Sequence, residues 1–249
     1  MRDEATTGLN EDQLHWLIGR VGESVQWDPR NTFSLLMAIV ITLESYRTNL
    51  TQKQLAVFRS TTQSTVSRVI RRIEPTVARV MEEFCLAPDD MAKTATIIDG
   101  FLIPTGNRHD QDKLYSGKRG RYGVTAQAVA DLDGRLLTVS EIFPGATHDL
   151  TAFRSCHLHE QLNHANTIAD LGYLGSNMTL PIKKPQGREL NDDQIDFNQT
   201  ISGIRAAVER AIAHLKNWKI LATGYRRRLM HLQRTVHIIT GLNRLRNTW

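Results

Sequence analysis

The run TATIIDGFLIPT at residues 94–105 constrains this chain more than any other stretch. Ala95, Ile97 and Ile98 are apolar with β-branched neighbours, as a buried strand requires, and Asp99 follows at once with Gly100 behind it. Read this way the strand ends at Asp99, and the glycine lets the backbone turn or be closely approached. A carboxylate at the end of a buried strand needs a neutralising partner, although a lone Asp-Gly also reads as a turn in which the side chain caps the backbone. A second stretch, TIADLGYLG at 167–175, repeats the arrangement with Asp170 after a short apolar run and Gly172 close behind. The third acid belongs to a helix. In ISGIRAAVERAIAHLKNWK, residues 201–219, Ile204, Val208, Ile212 and Leu215 form one apolar stripe. Glu209 lies about 100° around from Val208, on the margin of that stripe, where a helix packed on a sheet can point it along the sheet's end.

Further residues fall around these acids in a fixed order. Asp99-Gly100 is followed by Tyr115-Ser116-Gly117-Lys118, Pro144-Gly145-Ala146-Thr147-His148-Asp149, Ala169-Asp170-Leu171-Gly172-Tyr173, Lys183-Lys184-Pro185, and Arg205, Glu209 and Lys216 on one helix. This series resembles the DDE transposase superfamily, specifically insertion-sequence transposases related to the PIF/Harbinger group. The resemblance covers about residues 94–228 and rests on six ordered motifs. One position departs from it: Ser202 stands where related transposases often carry a Tyr three residues before the Arg.

The resemblance implies an RNase H-like (retroviral-integrase-like) catalytic domain and a DNA transposase that cuts at element ends and joins them to target DNA. Residues read strand by strand agree with that order. Val124–Ala130 alternation, a tight turn at Asp133-Gly134 and a return over 136–142 give a hairpin, and a helix from Asp149 to about Leu162 precedes the strand ending at Asp170. By resemblance Asp99 bridges two Mg²⁺ ions, with Mn²⁺ able to substitute, while Asp170 holds one and Glu209 the other. Hard cations of this kind prefer carboxylate oxygens and neutralise the charge that builds on an attacked phosphodiester. Arg205 and Lys216, near Glu209's face, and the loop and insertion cations Lys118, Arg119, Lys183 and Lys184 are candidate phosphate contacts; Arg108 shares the loop. Asp149 rivals Asp170 as the second acid, but its place suits a helix N-cap, so Asp170 is preferred. His148 is an accessory candidate.

Residues 10–90 carry helical periodicity without a strand pattern, so the fold class expected is α+β: an all-helical module at 1–88 before a catalytic domain at 92–249, joined by a linker around 87–91. Leu55 and Phe58 face inward on one helix, a turn follows at 60–62, and Val66, Val69, Ile70 and Ile73 form the inner face of the next, the spacing of a helix-turn-helix. Gln63, Ser64, Thr65, Ser67 and Arg68 then point outward, suited to base edges and phosphates. Pro75 predicts a kink near Glu74.

The charge is one-sided. Of a net +5, residues 205–249 carry +9, from ten Lys and Arg against Glu209 alone, which points to a polyanion and, inside a cell, to nucleic acid; the resemblance implies double-stranded DNA, as element ends and target. The partner arrangement expected is a homodimer on DNA. The longest apolar run, 33–43, is 11 residues with Ser34 and Thr42 inside it, too short to span a bilayer, and Cys85 and Cys156 show no ligand spacing, so no membrane and a reducing, cytoplasmic setting are expected. At 228–246, Leu229, Leu232, Val236, Ile239 and Leu242 form a stripe expected to pack across the catalytic sheet, with a partner helix in a dimer as the alternative. The alternative function is a domesticated DNA-binding regulator that keeps the fold without cutting.

Overall fold

The structure, a computed structural model, describes residues 2–86, 88–106 and 112–248; Arg108 of the expected site loop and Ala87 of the expected linker lie outside them. The chain runs α1 (Arg2–Thr7), α2 (Glu11–Ser24), α3 (Leu35–Arg47), α4 (Gln52–Phe58), α5 (Gln63–Met81) and α6 (Pro88–Lys93), then β1 (Thr96–Pro104), β2 (Tyr115–Ser116), β3 (Arg121–Asp131), β4 (Leu136–Val139) and β5 (Phe143–Pro144). After these come α7 (Asp149–Arg154), α8 (Leu158–Gln161), β6 (Thr167–Ile168), α9 (Asp192–Lys216), α10 (Lys219–Ala222) and α11 (Leu232–Thr248). They form two compact units, Met1–Cys85 with Leu215–Trp249, and Leu86–His214.

The first unit is all-helical. Its centre is α3, apolar around most of its circumference, with Ala38, Ile39, Ile41, Leu43 and Tyr46 fully buried. α1, α2, α4, α5 and α10 pack on it. Ile41 meets Leu55, Ala56, Val66 and Ile70, which ties α3 to the pair α4 and α5. Four starts, those of α2 to α5, are set by a side chain that satisfies orphan backbone N–H groups: Asn10 and Thr51 form reciprocal boxes with Gln13 and Gln54, and Ser34 and Thr62 cap α3 and α5. Pro75 sits inside α5 rather than ending it.

The last helix departs from expectation. Its buried side chains, Leu232, Val236, Ile238, Ile239, Leu242 and Leu245, belong to this helical unit, and α11 packs along α5 and the 3-10 turn Glu82–Phe84. The approach is close: a Cβ on Gly241 would stand 2.5 Å from Met81 Cβ. The apolar stripe was legible, but a stripe does not name the surface that covers it. Likewise the expected linker is in part the helix α6, whose Met91 is buried in the second unit's core.

The second unit is mixed α/β, built on a six-stranded sheet. β1 runs antiparallel to β3 along its whole length and parallel to β6, while β4 and β5 take β3's other edge in succession and β2 pairs with its start. A register shift between Val129 and Ala130 lets the long β3 bend past its short partners. Gly134, at φ 84°, makes the turn into β4. The core gathers Ile98, Val129, Phe153, Leu158, Ala169 and Tyr173 between sheet and helices. This curled sheet with helices is consistent with the nuclease fold expected. β1 does not end at Asp99, as the Asp-Gly pair predicted. It continues through Phe101, Leu102 and Ile103, because those side chains are apolar enough to extend the ladder with β3 as far as Pro104 opposite Gly123.

Candidate active site

β1 and β6 pair in parallel with Thr96 opposite Thr167 and Ile97 opposite Ile168, and the two threonine hydroxyls meet at 2.8 Å. The pairing ends there, and Asp170 follows β6 by two residues, close enough for its charge to bear on Asp99. Ile98 and Ala169 are buried in the core, so strand alternation turns the two acids to the opposite face. Asp170 leaves its strand as the cap of a 3-10 turn, its Oδ1 accepting from Gly172 N–H at 2.8 Å. Asp99 Oδ1 accepts from Gly100 N–H at 2.9 Å and keeps 17% of its side chain exposed.

Asp149 joins them. The start of α7 is held over the sheet by Gln127, whose Nε2 donates to the Asp149 carbonyl at 2.6 Å. Gln127 is fully buried on β3 and sits opposite Gly100 in the ladder. A Cβ on Gly100 would lie 2.4 Å from Asp149 Oδ1, and one on Gly172 would lie 2.8 Å from Asp170 Oδ1 and 3.1 Å from Asp149 Oδ2. At both glycines, then, a side chain would displace a carboxylate from where it now stands against the backbone. The N-cap argument for setting Asp149 aside does not hold: His148 occupies the cap position, Asp149 is the first helical residue, and its Oδ2 takes a 2.9 Å hydrogen bond from Lys118 Nζ. The capping role falls to Asp170 instead.

The cations come from two directions. Lys118 and Arg119 lie on the loop after β2; Arg119 Nη2 donates to the Gly100 carbonyl at 3.4 Å. With His148, Asp149 and Gly172 they line a cavity of about 300 Å³ beside the acids. Arg205 reaches in from α9, its Nη2 3.8 Å from Asp99 Oδ1 and its Nε buried without a partner among the described residues. Glu209, one turn further along α9, is exposed. Tyr173 is buried, and its hydroxyl has no hydrogen-bond partner among the described residues. Burial first, then the charges of Asp149, Asp99 and Asp170, push that hydroxyl well above its ordinary pKa.

The other sequence candidates fall elsewhere. Lys183 and Lys184 are exposed, Lys184 pairing with Glu189 at 2.6 Å, and Lys216 is half-buried at the end of α9. Gln63, Ser64 and Arg68 are exposed on α5 of the helical unit, with Thr65 and Ser67 half-buried. Gln127 and Tyr173 were missed as parts of the site, whereas the close approach read for Gly100 is what the structure has. A polar Gln inside the apolar strand 124–130 was the signal available for the first.

Burial raises the pKa of Asp99 most; Arg205 lowers it, Asp170 raises it, the Gly100 N–H lowers it and Asp149 raises it, and the net direction is upward. Between the ordinary and the raised value the folded chain holds more protons than the unfolded one, so stability falls as pH rises through that window and the penalty persists above it. Asp99→Asn therefore raises the thermal midpoint at pH 7 by a few degrees, and the gain shrinks as the pH is lowered below the ordinary carboxylate range. Scanning both proteins calorimetrically at pH 7 and in acid checks this; a midpoint lowered at pH 7 contradicts it.

A family profile described as DDE superfamily endonuclease matches residues 98–244, more than half of the chain. The chain belongs to that family. The match takes in all three acids of the sequence reading as well as Asp149. This DDE endonuclease family member is 33% identical over 178 residues to a protein described as a transposase for insertion sequence element IS112 of Streptomyces albus G, covering 71% of the chain and 66% of that protein. It is 28% identical over 140 residues to a protein described as a transposase for insertion sequence element IS702 of Microchaete diplosiphon, covering 54% of the chain and 50% of that relative. The alignments thus span just under two thirds of one relative and half of the other. No solved structure matches the DDE chain significantly. Among the described residues, no helix is long and apolar enough to cross a membrane.

The candidate donors here are all carboxylate oxygens, the type a hard divalent cation takes, and Asp99 is raised first by burial and then, against Arg205, by the charges of Asp170 and Asp149. In donor chemistry the site fits such an ion. In arrangement, no three His, Cys, Asp or Glu side chains among the described residues are gathered as a metal-binding group, since Asp149 is engaged by Lys118 and Glu209 is exposed.

Proposed function

We propose that the chain is a metal-dependent DNA endonuclease of the transposase type, in which Asp99, Asp170 and Glu209 hold the divalent cations. The observation that supports this reading most is the nearness of three carboxylates: Asp149 reaches Gly100 beside Asp99, Asp149 and Asp170 both reach Gly172, and the charges of both bear on Asp99. Bound Mg²⁺ or Mn²⁺, two ions in the full reading, would supply charge neutralisation at the scissile phosphate and a more acidic attacking water. The protein's own groups prepare the site. Gly100 and Gly172 admit the carboxylates close to the backbone, Gln127 fixes the start of α7, and Lys118 and Arg119 offer cationic charge to a phosphodiester entering the 300 Å³ cavity. Arg205 beside Asp99 limits the repulsion between acids until the ions bind. Strand transfer into target DNA, kinship with the PIF/Harbinger group, assembly as a homodimer on DNA, and the RNase H-like name for the α/β unit belong to the same reading. So does a helix-turn-helix in α4 and α5, which present Gln63, Ser64, Thr65, Ser67 and Arg68 to a duplex.

The regulatory alternative draws on one observation, the absence of a gathered three-acid group among the described residues. Incubating the purified chain with supercoiled plasmid in Mg²⁺, in Mn²⁺ and in EDTA separates the two. Metal-dependent nicking supports the endonuclease; plasmid binding without nicking in either metal supports the regulator.

A further inference from the structure

The helical unit carries a groove of about 730 Å³ whose two walls come from opposite ends of the sequence. One wall is the N-terminal part of α4 with the Gln63, Ser67 and Arg71 face of α5; the other is the segment 226–234 that leads into α11. Five exposed cations line it: Lys53 and Arg71 on the first wall, Arg226, Arg228 and Arg234 on the second. Among the described residues none of the five makes an ion pair. The groove's one acid, Glu74, is buried and already spent: Tyr46 donates to its Oε1 at 2.7 Å and Arg227 pairs with it.

That last pair decides what the cations are for. A buried ion pair contributes little net stability, and its best-attested use is to fix register. Arg227 is held by Glu74, by Ser45 Oγ at 2.8 Å, and over the Tyr46 ring at 5.3 Å. Asn49, at φ 52°, clamps the same segment by donating to Thr223 Oγ1 at 2.8 Å and to the Gly224 carbonyl at 3.0 Å, and Arg226 donates to the Asn49 carbonyl. The segment is thus pinned so that Arg226 and Arg228, flanking the anchor, stand opposite Lys53 and Arg71. A merely solvated basic face needs no such anchoring, and five uncompensated cations around one groove repel each other unless an anion enters.

We infer that this groove is a phosphodiester-binding site built jointly from both ends of the chain, so that the basic C-terminal segment contacts the same nucleic acid as α5. The choice of ligand rests on the proposed action on DNA; the site itself does not depend on cleavage.

The test is binding by the full chain to a random duplex of about 30 base pairs, without metal, over about 50–200 mM KCl. Arg226→Gln with Arg228→Gln and Arg234→Gln is compared with a control of equal charge change, Arg30→Gln with Arg79→Gln and Lys219→Gln, and separately Lys53→Gln with Arg71→Gln is compared with Arg79→Gln with Lys219→Gln, the control residues all being exposed and outside the groove. Each protein is first checked for an unchanged thermal transition. The expected result is a salt slope smaller by about two to three units for the first variant and one to two for the second, with roughly tenfold or greater weakening at low salt, and less than one unit for the control. Equal losses in control and groove variants overturn the inference, as does an effect confined to one wall. A further arm adds inorganic phosphate at constant ionic strength; displacement of the duplex beyond that caused by chloride assigns the groove to a free phosphate ligand instead. If the unaltered chain binds no duplex, the endonuclease reading falls with it. If it binds and the groove variants bind equally, only the groove falls.

Discussion

Asp99→Asn, Asp170→Asn and Glu209→Gln each reduce divalent-cation-dependent cleavage of plasmid DNA by roughly 10³-fold or more, the order of loss expected when one group stabilising transition-state charge is removed. Each exchange keeps side-chain size and removes one charge, so duplex binding and the folded state survive. Asp149→Asn is the informative fourth arm. Its carboxylate is engaged by Lys118 rather than free for an ion, so it acts as a positioning residue, and its loss lowers cleavage by about 10–100-fold, the range for a supporting shell around a metal. Measuring initial rates against Mn²⁺ concentration separates the roles: a triad variant stays inactive at saturating metal, whereas the Asp149 variant recovers part of its rate. Full activity in Asp170→Asn together with inactivity in Asp149→Asn would move the second acid to position 149.

A chain ending at Tyr225 loses the helical unit, not the sheet. The truncation removes six buried apolar side chains of α11, each contributing about 1.5–3 kcal/mol when fully buried, so the total is on the order of 10 kcal/mol. That matches or exceeds the whole stability of a typical domain. The three tryptophans left in the truncated chain, Trp16, Trp27 and Trp218, all belong to the helical unit, and Trp218 is fully buried, so their emission reports that unit alone. The expected result is a red-shifted emission with no cooperative tryptophan transition. The milder Leu242→Ala leaves the unit folded but less stable by about 2–5 kcal/mol in urea titrations. Native emission in the truncated chain would show that α11 is not core to this unit.

Much of the site could be read from residue order, because an acid after an apolar run followed by glycine has few structural uses. Asp99 and Asp170 were singled out that way, and the apolar runs just before them, 96–97 and 167–168, pair in parallel in the sheet. What could not be read was anything set by contact across the sequence. Asp149 looked like a helix cap because its neighbours 150–153 are helical, yet which residue caps depends on where the backbone of His148 turns. Arg205 was read as a phosphate contact on Glu209's face, and its 3.8 Å approach to Asp99 depends on how the helix lies over the sheet, which residue spacing does not give. The stripe of α11 was plain, and its covering surface was not, since periodicity fixes a face and says nothing of what meets it.

Gly241 against Met81 and Arg227 against Glu74 also bear on how the protein is born. Every residue of the α/β unit lies between the two sequence segments that make the helical unit. During synthesis from the N-terminus, α1 to α5 emerge first and wait with the α11 side of α5 uncovered, while residues of the α/β unit emerge and find their own partners within one continuous stretch. The long intervening loop adds little closure entropy once that stretch has compacted. The order of maturation is therefore inverted relative to the order of translation, with the sheet complete before the helical unit. The anchoring Arg227 follows the whole α/β unit in the chain, so the two-walled groove cannot form on a nascent chain until the residues of that unit have been made. Limited proteolysis of stalled chains of increasing length reads this directly: protection of the α/β unit precedes protection of α5, and the reverse order would contradict it.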